Sequence, residues 1–225
     1  MKALTDEHLA TLRRHMVEVV DIEYDLTADD TGRARLPDRL RQAMLEVPRH
    51  LFVPPQIAAL AYGDRPLPIG FDKTISQPFM GALMIDLLDL KAGDRVLEVG
   101  TGLGYQTALL AEMARAVWSV DVVEEFVIGA AARLKLLERT NVTLRVGDGS
   151  RGWADHAPFD AILVSAAARA IPDALAAQLE IGGRMVLPVG EPGAQRLTRA
   201  ERTGEDEVTA TALMAVQFTE LEVGP

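Results

Sequence analysis

The stretch "DRVLEVGTGLGYQTALL", residues 94–110, decides the fold. An apolar run at 95–99 stops at Gly100, Gly102 and Gly104 follow at alternate positions, and a helix-compatible apolar segment resumes at once. A strand has to end there and a helix begin within a few residues. Gly100 permits the tight turn, Gly102 removes a side chain where backbone can approach a ligand, and Gly104 permits close strand–helix packing. Working outward, strand-like runs recur at 116–121, 142–146, 160–165 and 184–188, with helical patterns between them at about 104–114, 124–138 and 172–180. This alternation predicts an α/β fold: a doubly wound, mostly parallel sheet of Rossmann-like type with helices on both faces. The end breaks the rhythm. "RLTRAERTG" and "VTATALMAVQF" flank a Gly-containing acidic turn and read as an antiparallel hairpin.

Upstream of the glycine loop the pattern is different. Over 6–20, Leu9, Leu12, Met16 and Val19 fall near one helical face. "DLTADDTGRARLP" (25–37) is polar with Gly and Pro and reads as a loop, "DRLRQAMLEVP" as a short helix stopped before Pro48, and the proline-rich 49–70 as irregular. A helix is expected over 78–90, with Pro78 in its first turn. The chain thus divides into an N-terminal helical extension, 1–80, and an α/β core, 81–225.

Bulk composition narrows the function. The 225 residues are 48% apolar and 25% charged, an ordinary folded globule. The net charge of −10 and the lack of a basic stripe exclude phosphate-backbone binding, so no nucleic-acid partner is expected. The absence of cysteine removes disulfides, thiol nucleophiles and zinc–thiolate sites, and no metal is expected. The charged start "MKALTDEHLATLRRHM" reads as no signal peptide, and no run approaches the roughly 20 apolar residues of a membrane span. A cytoplasmic protein without membrane association, favoured as a monomer, is the expectation.

Two further acids give the glycine loop a ligand. Glu98 precedes Gly100 by two residues, and Asp121 ends the next strand, where a carboxylate can accept from ribose hydroxyls. The loop is G-x-G-x-G, with Tyr105 where a G-x-G-x-x-G dinucleotide fingerprint would place glycine. Its acid-first form suits S-adenosyl-L-methionine, whose ammonium wants an acceptor; Glu98 is the candidate. Asp148, after the 142–146 strand, is placed to accept from the adenine amino group, or else is a turn aspartate with Gly149 at positive φ. Glu98, Asp121 and Asp148 are expected to close three successive strands at one edge. A nicotinamide cofactor remains the other reading.

The stretches "VPRHLFVPP" (47–55), "AYGDRPLPIG" (61–70), "TISQP" (74–78), "LEVGTGLGYQTA" (97–108), "GDGSRGW" (147–153), "FDAILVSAAA" (159–168) and "GGRMVLPVG" (182–190) resemble protein-L-isoaspartate (D-aspartate) O-methyltransferases. The glycine loop is common to most adenosylmethionine enzymes, whereas "TISQP" is specific to this family. The resemblance implies a methyltransferase core on 81–225, a substrate lid within 1–80, and methyl transfer to the α-carboxylate of L-isoaspartyl residues in damaged proteins and peptides. It implies Ser76 as the active-site serine. The cofactor-binding set of Glu98, Gly100, Gly102, Gly104, Asp121 and Asp148 is completed by Ile75, Thr101, Gly149 and Ser165, which lie within these stretches, and by Val122, next to Asp121. Four features depart from the family pattern: the longer 19–36 segment, Lys73 in place of a common glutamine, Leu103 in place of a common serine, and the tail "FTELEVGP".

The chemistry fits the residue types. A carboxylate is ionised at neutral pH and a sulfonium is an activated electrophile, so transfer needs orientation more than acid–base help. This accounts for the lack of a catalytic set among His8, His15, His50 and His156; His50 reads as structural. Ser76 and Thr74 can aim the carboxylate, or can cap the helix that starts near Pro78. Other readings stay open at this point: a carboxyl methyltransferase dedicated to one peptide, an NAD(P)-dependent oxidoreductase, or a binding-only relative.

Overall fold

The computed structural model describes residues 5–224. Residues 1–4 of the charged N-terminal stretch, and Pro225, lie outside that range. In chain order the elements are α1 (Asp6–Leu26), α2 (Ala28–Thr31), α3 (Asp38–Glu46), two 3-10 turns (Arg49–Phe52 and Pro55–Leu60), β1 (Leu67–Gly70), β2 (Lys73–Ile75) and α4 (Pro78–Asp86). The core continues with β3 (Arg95–Val99), α5 (Tyr105–Met113), β4 (Ala116–Asp121), α6 (Glu124–Leu136), β5 (Val142–Val146), β6 (Phe159–Val164), α7 (Asp173–Ala176), β7 (Leu179–Val189), β8 (Arg196–Arg202) and β9 (Val208–Ala215).

The main sheet has seven strands in the order β5-β4-β3-β6-β7-β8-β9. Strands β3 to β7 pair in parallel and β7-β8-β9 antiparallel, so the expected C-terminal hairpin extends a parallel sheet. The chain winds outward from β3 to β5, then returns to place β6 on β3's other side. That reversal opens a crevice at the C-terminal end of β3, where ligands bind in such sheets. Successive strand residues face opposite sides. Val96, Ala161 and Leu163 join the core under α1 and α3–α6, while Leu97, Ile162 and Val164 join a second core with Trp153, Phe159 and Leu175. Burial on both faces explains why β3 and β6 are near-continuous apolar runs.

Several elements differ from the sequence expectation. The stretch 25–37 is a loop only from Gly32 onward. Helix α1 runs to Leu26 and α2 follows, ended by Gly32 at φ 68°. Tyr24, fully buried, anchors that extra turn, its ring edge-on to Phe79 at 5.6 Å. The face that α1 buries is Met16, Val17, Val20 and Tyr24, with Leu9 and Leu12 at its margin and Val19 only partly covered. Within the stretch read as irregular, β1 begins a hairpin completed by β2, turning through Phe71 and Asp72 at φ 51° and 54°. Helix α4 stops at Asp86, and α7 shrinks to four residues because β7 starts early, pairing Leu179 with Phe159. The second face is therefore covered by α7, turns and Trp153 rather than by long helices.

Candidate active site

Two cavities open at the C-terminal end of the sheet. The first, with about 820 Å³ of space between its walls and part of it open to solvent, is lined by the whole glycine loop, 99–105, and by Asp121, Val122, Gly149 and Ser165. Its other walls are Ile69 and Lys73–Ser76 from the hairpin, Phe126, and Thr219–Glu222 from the tail. The second is a broader groove, about 1410 Å³ by the same measure, walled by Glu23, Thr27, Pro66, Gln77, Phe79, Met80 and the 214–219 segment. Four residues line both: Thr74, Ser76, Ser165 and Thr219, all bearing hydroxyls.

The glycine loop is built as its sequence demands. Gly100 sits at φ 95°, where a Cβ would come within 3.3 Å of the Ser165 Cβ, so this position takes only glycine without movement. Gly104, at φ 94°, opens α5, and its added Cβ would meet Ala130 of α6 at 3.0 Å; the close packing is with a neighbouring helix as well as with the strand. Asp121 holds the loop from below. Its Oδ2 accepts from the Gly102 N–H at 2.8 Å and its Oδ1 from the Val123 N–H at 2.9 Å. Burial raises its pKa, and those two amides oppose the rise. Each oxygen keeps a lone pair for a hydroxyl in the cleft.

Two of the expected cofactor acids lie elsewhere. Glu98 does not line the cleft. It is one residue before the end of β3, fully buried on the face covered by α5. Its Oε2 accepts from Thr107 at 2.5 Å and Ser119 at 2.6 Å, while its Oε1 has no partner. Burial pushes it up to about 7 against those two bonds, with Asp121 adding repulsion. It is a buried brace between β3, β4 and α5, and strand alternation is the reason: its side chain shares the face of Val96. Asp148 is beside the cleft rather than in its wall. It caps a 3-10 turn, accepting from the N–H and Oγ of Ser150, and the Gly224 backbone covers it. Burial pushes Asp148 up, but Ser150, Arg151 and the Gly224 amide together hold it below the usual carboxylate value. Its Oδ2 is buried and faces the Arg151 guanidinium at 3.2 Å. Gly149, in the 3-10 turn, is not at positive φ. The other expected residues, Thr74, Ile75, Ser76, Gly100, Thr101, Gly102, Gly104, Asp121, Val122, Gly149 and Ser165, share the first cavity.

Ser76 and Thr74 do not cap α4. Its first turn is held from a distance: Asp64 accepts from the Phe79 N–H at 2.8 Å and from the Gln77 side chain at 3.0 Å. The Ser76 hydroxyl has no partner among the described residues and is free to face a ligand. Its backbone is fixed by Arg49, 1% exposed, whose guanidinium donates to the carbonyls of Ser76 at 2.7 Å and Ala61 at 2.8 Å over the Tyr105 ring. His50 is structural, paired with the Tyr62 hydroxyl at 2.7 Å, and no histidine lines either cavity.

Sequence reasoning missed three features of the cleft. Gln106 lines the cleft, its amide oxygen accepting from the Ser165 hydroxyl at 3.3 Å while its buried nitrogen has no partner. The tail, Thr219–Glu222, forms a wall, stitched to Ala167 by hydrogen bonds of 2.8 Å each way. Lys73 and Glu222 form an ion pair across the cleft. No local pattern marks the tail; the specificity of "TISQP" marks only the opposite wall. The cleft carries the carboxylates of Asp121, Glu220 and Glu222 against one ammonium, Lys73. That balance suits a ligand with a sulfonium and an ammonium, and disfavours a pyrophosphate.

Comparison with known proteins matches this arrangement along its length. The family model for protein-L-isoaspartate(D-aspartate) O-methyltransferase matches residues 28–223. A protein-L-isoaspartate O-methyltransferase 1 of Polaromonas sp. strain JS666 is 44% identical over 97% of this chain and 93% of its own length. One from Anaeromyxobacter dehalogenans is 52% identical over 81% and 88%. A solved Plasmodium falciparum β-aspartate methyltransferase in complex with S-adenosyl-L-homocysteine superposes with a TM-score of 0.78 at 25% identity, covering 93% of this chain and 98% of that one. The match spans both cavities and includes the tail that the sequence reading had set apart, and by it the chain belongs to the protein-L-isoaspartate(D-aspartate) O-methyltransferase family.

Proposed function

We propose that the chain transfers a methyl group from S-adenosyl-L-methionine to the α-carboxylate of L-isoaspartyl residues, with the cofactor in the glycine-loop cleft and the peptide in the adjoining groove. One observation carries the reading: among the described residues, Thr74, Ser76, Ser165 and Thr219 are the ones that line both cavities. A donor on one side and an acceptor on the other can touch only past these hydroxyls.

Asp121 would hold the ribose, Ile69 and Phe126 would flank the adenine ring, and Asp148, beside the cleft and paired with Arg151, would accept from the adenine amino group. When bound, the cofactor supplies an activated methyl on a sulfonium. Ser76 and Thr74 donate to the acceptor carboxylate and aim one oxygen along the line of transfer. Arg49 keeps the Ser76 backbone from shifting. Holding the reacting atoms about 3 Å apart supplies several kcal/mol of the barrier, and no base is needed because the acceptor is already ionised. The oxygen–carbon bond forms as the carbon–sulfur bond breaks. The ester then loses methanol when the following backbone nitrogen attacks, giving a succinimide that can reopen to aspartate.

The 47–76 stretch acts as the lid, its hairpin closing the cleft and Pro66 edging the groove. No described helix is long and apolar enough to cross a membrane, and we take the enzyme to be a cytoplasmic monomer. The test is labelled methyl transfer to paired isoaspartyl and aspartyl peptides of several unrelated sequences. Activity on every isoaspartyl member and none of the aspartyl ones is expected. Activity confined to one sequence would replace repair with a dedicated peptide substrate, and absence of transfer would refute the proposal.

A further inference from the structure

We infer that Glu23 gives the acceptor groove a charge preference, so that isoaspartyl sites flanked by lysine or arginine are methylated ahead of those flanked by aspartate or glutamate. The inference rests on the groove being the peptide's seat. Glu23 is the only titratable residue among those that line it. Every other wall residue is apolar, a hydroxyl or an amide, so nothing in the groove neutralises that carboxylate. Among the described residues no cation lies within ion-pairing distance of it, whereas its neighbour on the same helix, Asp21, is paired with Arg41.

Its placement is fixed. Tyr24 and Val20 on α1 are fully buried, and the Glu23 carbonyl accepts from both the N–H and Oγ1 of Thr27, closing the helix. Glu23 therefore sits in the last turns of a 21-residue helix that has no basic residue in its final turn. The negative end of that helix adds to the carboxylate's field. Helix α2, next along the chain, packs on β9, and Met214–Thr219 form another wall of the same groove. The side chain is partly solvated, so a cation beside it is favoured by about three- to fivefold, and added salt reduces that ratio.

The experiment uses three isoaspartyl peptides that differ only in the residues flanking the site: lysine, glutamine or glutamate. The kcat/KM of the full chain should rank lysine above glutamine above glutamate, with the spread shrinking at high salt. Glu23→Gln should remove most of the spread, and Glu23→Lys should reverse its order. Glu205→Gln, in the turn of the β8–β9 hairpin and outside the groove, makes the same change in net charge and should leave the ranking as it was. Binding of adenosylhomocysteine to the Glu23 variants reports that the cleft is intact. An unchanged ranking in Glu23→Gln, or an equal effect from Glu205→Gln, would overturn the inference while leaving methyl transfer standing. If the wild type methylates none of the three peptides, the functional reading itself fails and takes this inference with it.

Discussion

Glu98→Gln should change how stability depends on pH, by an amount the structure sets. In the folded chain burial pushes Glu98 up to about 7 from an ordinary 4.5. Between these values the native state holds a proton that the unfolded chain has released, so stability falls as pH rises from 4.5 through 7. Each unit of difference is worth about 1.4 kcal/mol, so the wild type loses about 3 kcal/mol from this residue between pH 4 and pH 8. Glutamine does not titrate. Its carbonyl can accept the Thr107 and Ser119 bonds that Oε2 now takes, and its NH₂ meets the same unpartnered surroundings as a protonated Oε1. The constant cost of that NH₂ cancels when the comparison is made across pH. Urea denaturation of both proteins from pH 4 to pH 8 should therefore show the variant gaining about 3 kcal/mol on the wild type. Other buried carboxylates such as Asp86 contribute equally to both proteins. Parallel stability curves would refute the account of Glu98 as a buried, proton-holding brace.

Three further outcomes follow from the site. Ser76→Ala should lower kcat/KM by at least about tenfold, one transition-state hydrogen bond, with no loss in denaturation midpoint because the hydroxyl caps nothing. Asp64→Ala should cost about 1–2 kcal/mol of stability by uncapping α4, seen in urea titration; an unchanged midpoint would show that water replaces the cap. Asp121→Ala should weaken adenosylhomocysteine binding by about 1–3 kcal/mol in calorimetric titration, since it both frees the Gly102 amide and removes the hydroxyl acceptor.

The sheet was legible because its central parallel strands, β3, β4 and β6, are largely buried on both faces and the edge strand β5 keeps a β-branched apolar pattern. The runs at 95–99, 116–121 and 142–146 coincide with β3, β4 and β5, and the C-terminal hairpin was marked by its acidic turn. The glycine loop was legible because backbone geometry, not packing, selects its residues. What failed was information carried by distance. Asp64 caps a helix that begins fourteen residues later, displacing the nearer hydroxyls of Thr74 and Ser76. The face on which Glu98 points depends on strand phase, which a motif does not encode. Residues 25–31 are mostly polar, and the buried Tyr24 packed against Phe79 anchors the helix there. The tail's contact with Ala167 joins positions more than fifty residues apart, and no periodicity announces it.

The tail is also placed where a ligand must pass. Residues 219–222 form one wall of the cofactor cleft, pinned to Ala167 and clasped at Glu222 by Lys73, while Thr219 looks into the groove. If the strap closes the open part of the cleft during turnover while a peptide in the groove blocks the gap between the hydroxyls, the cofactor enters first, the modified peptide departs first, and the spent cofactor waits for the clasp to open. Steady-state product inhibition then has a fixed signature, in which the spent cofactor competes with its fresh form and not with the peptide.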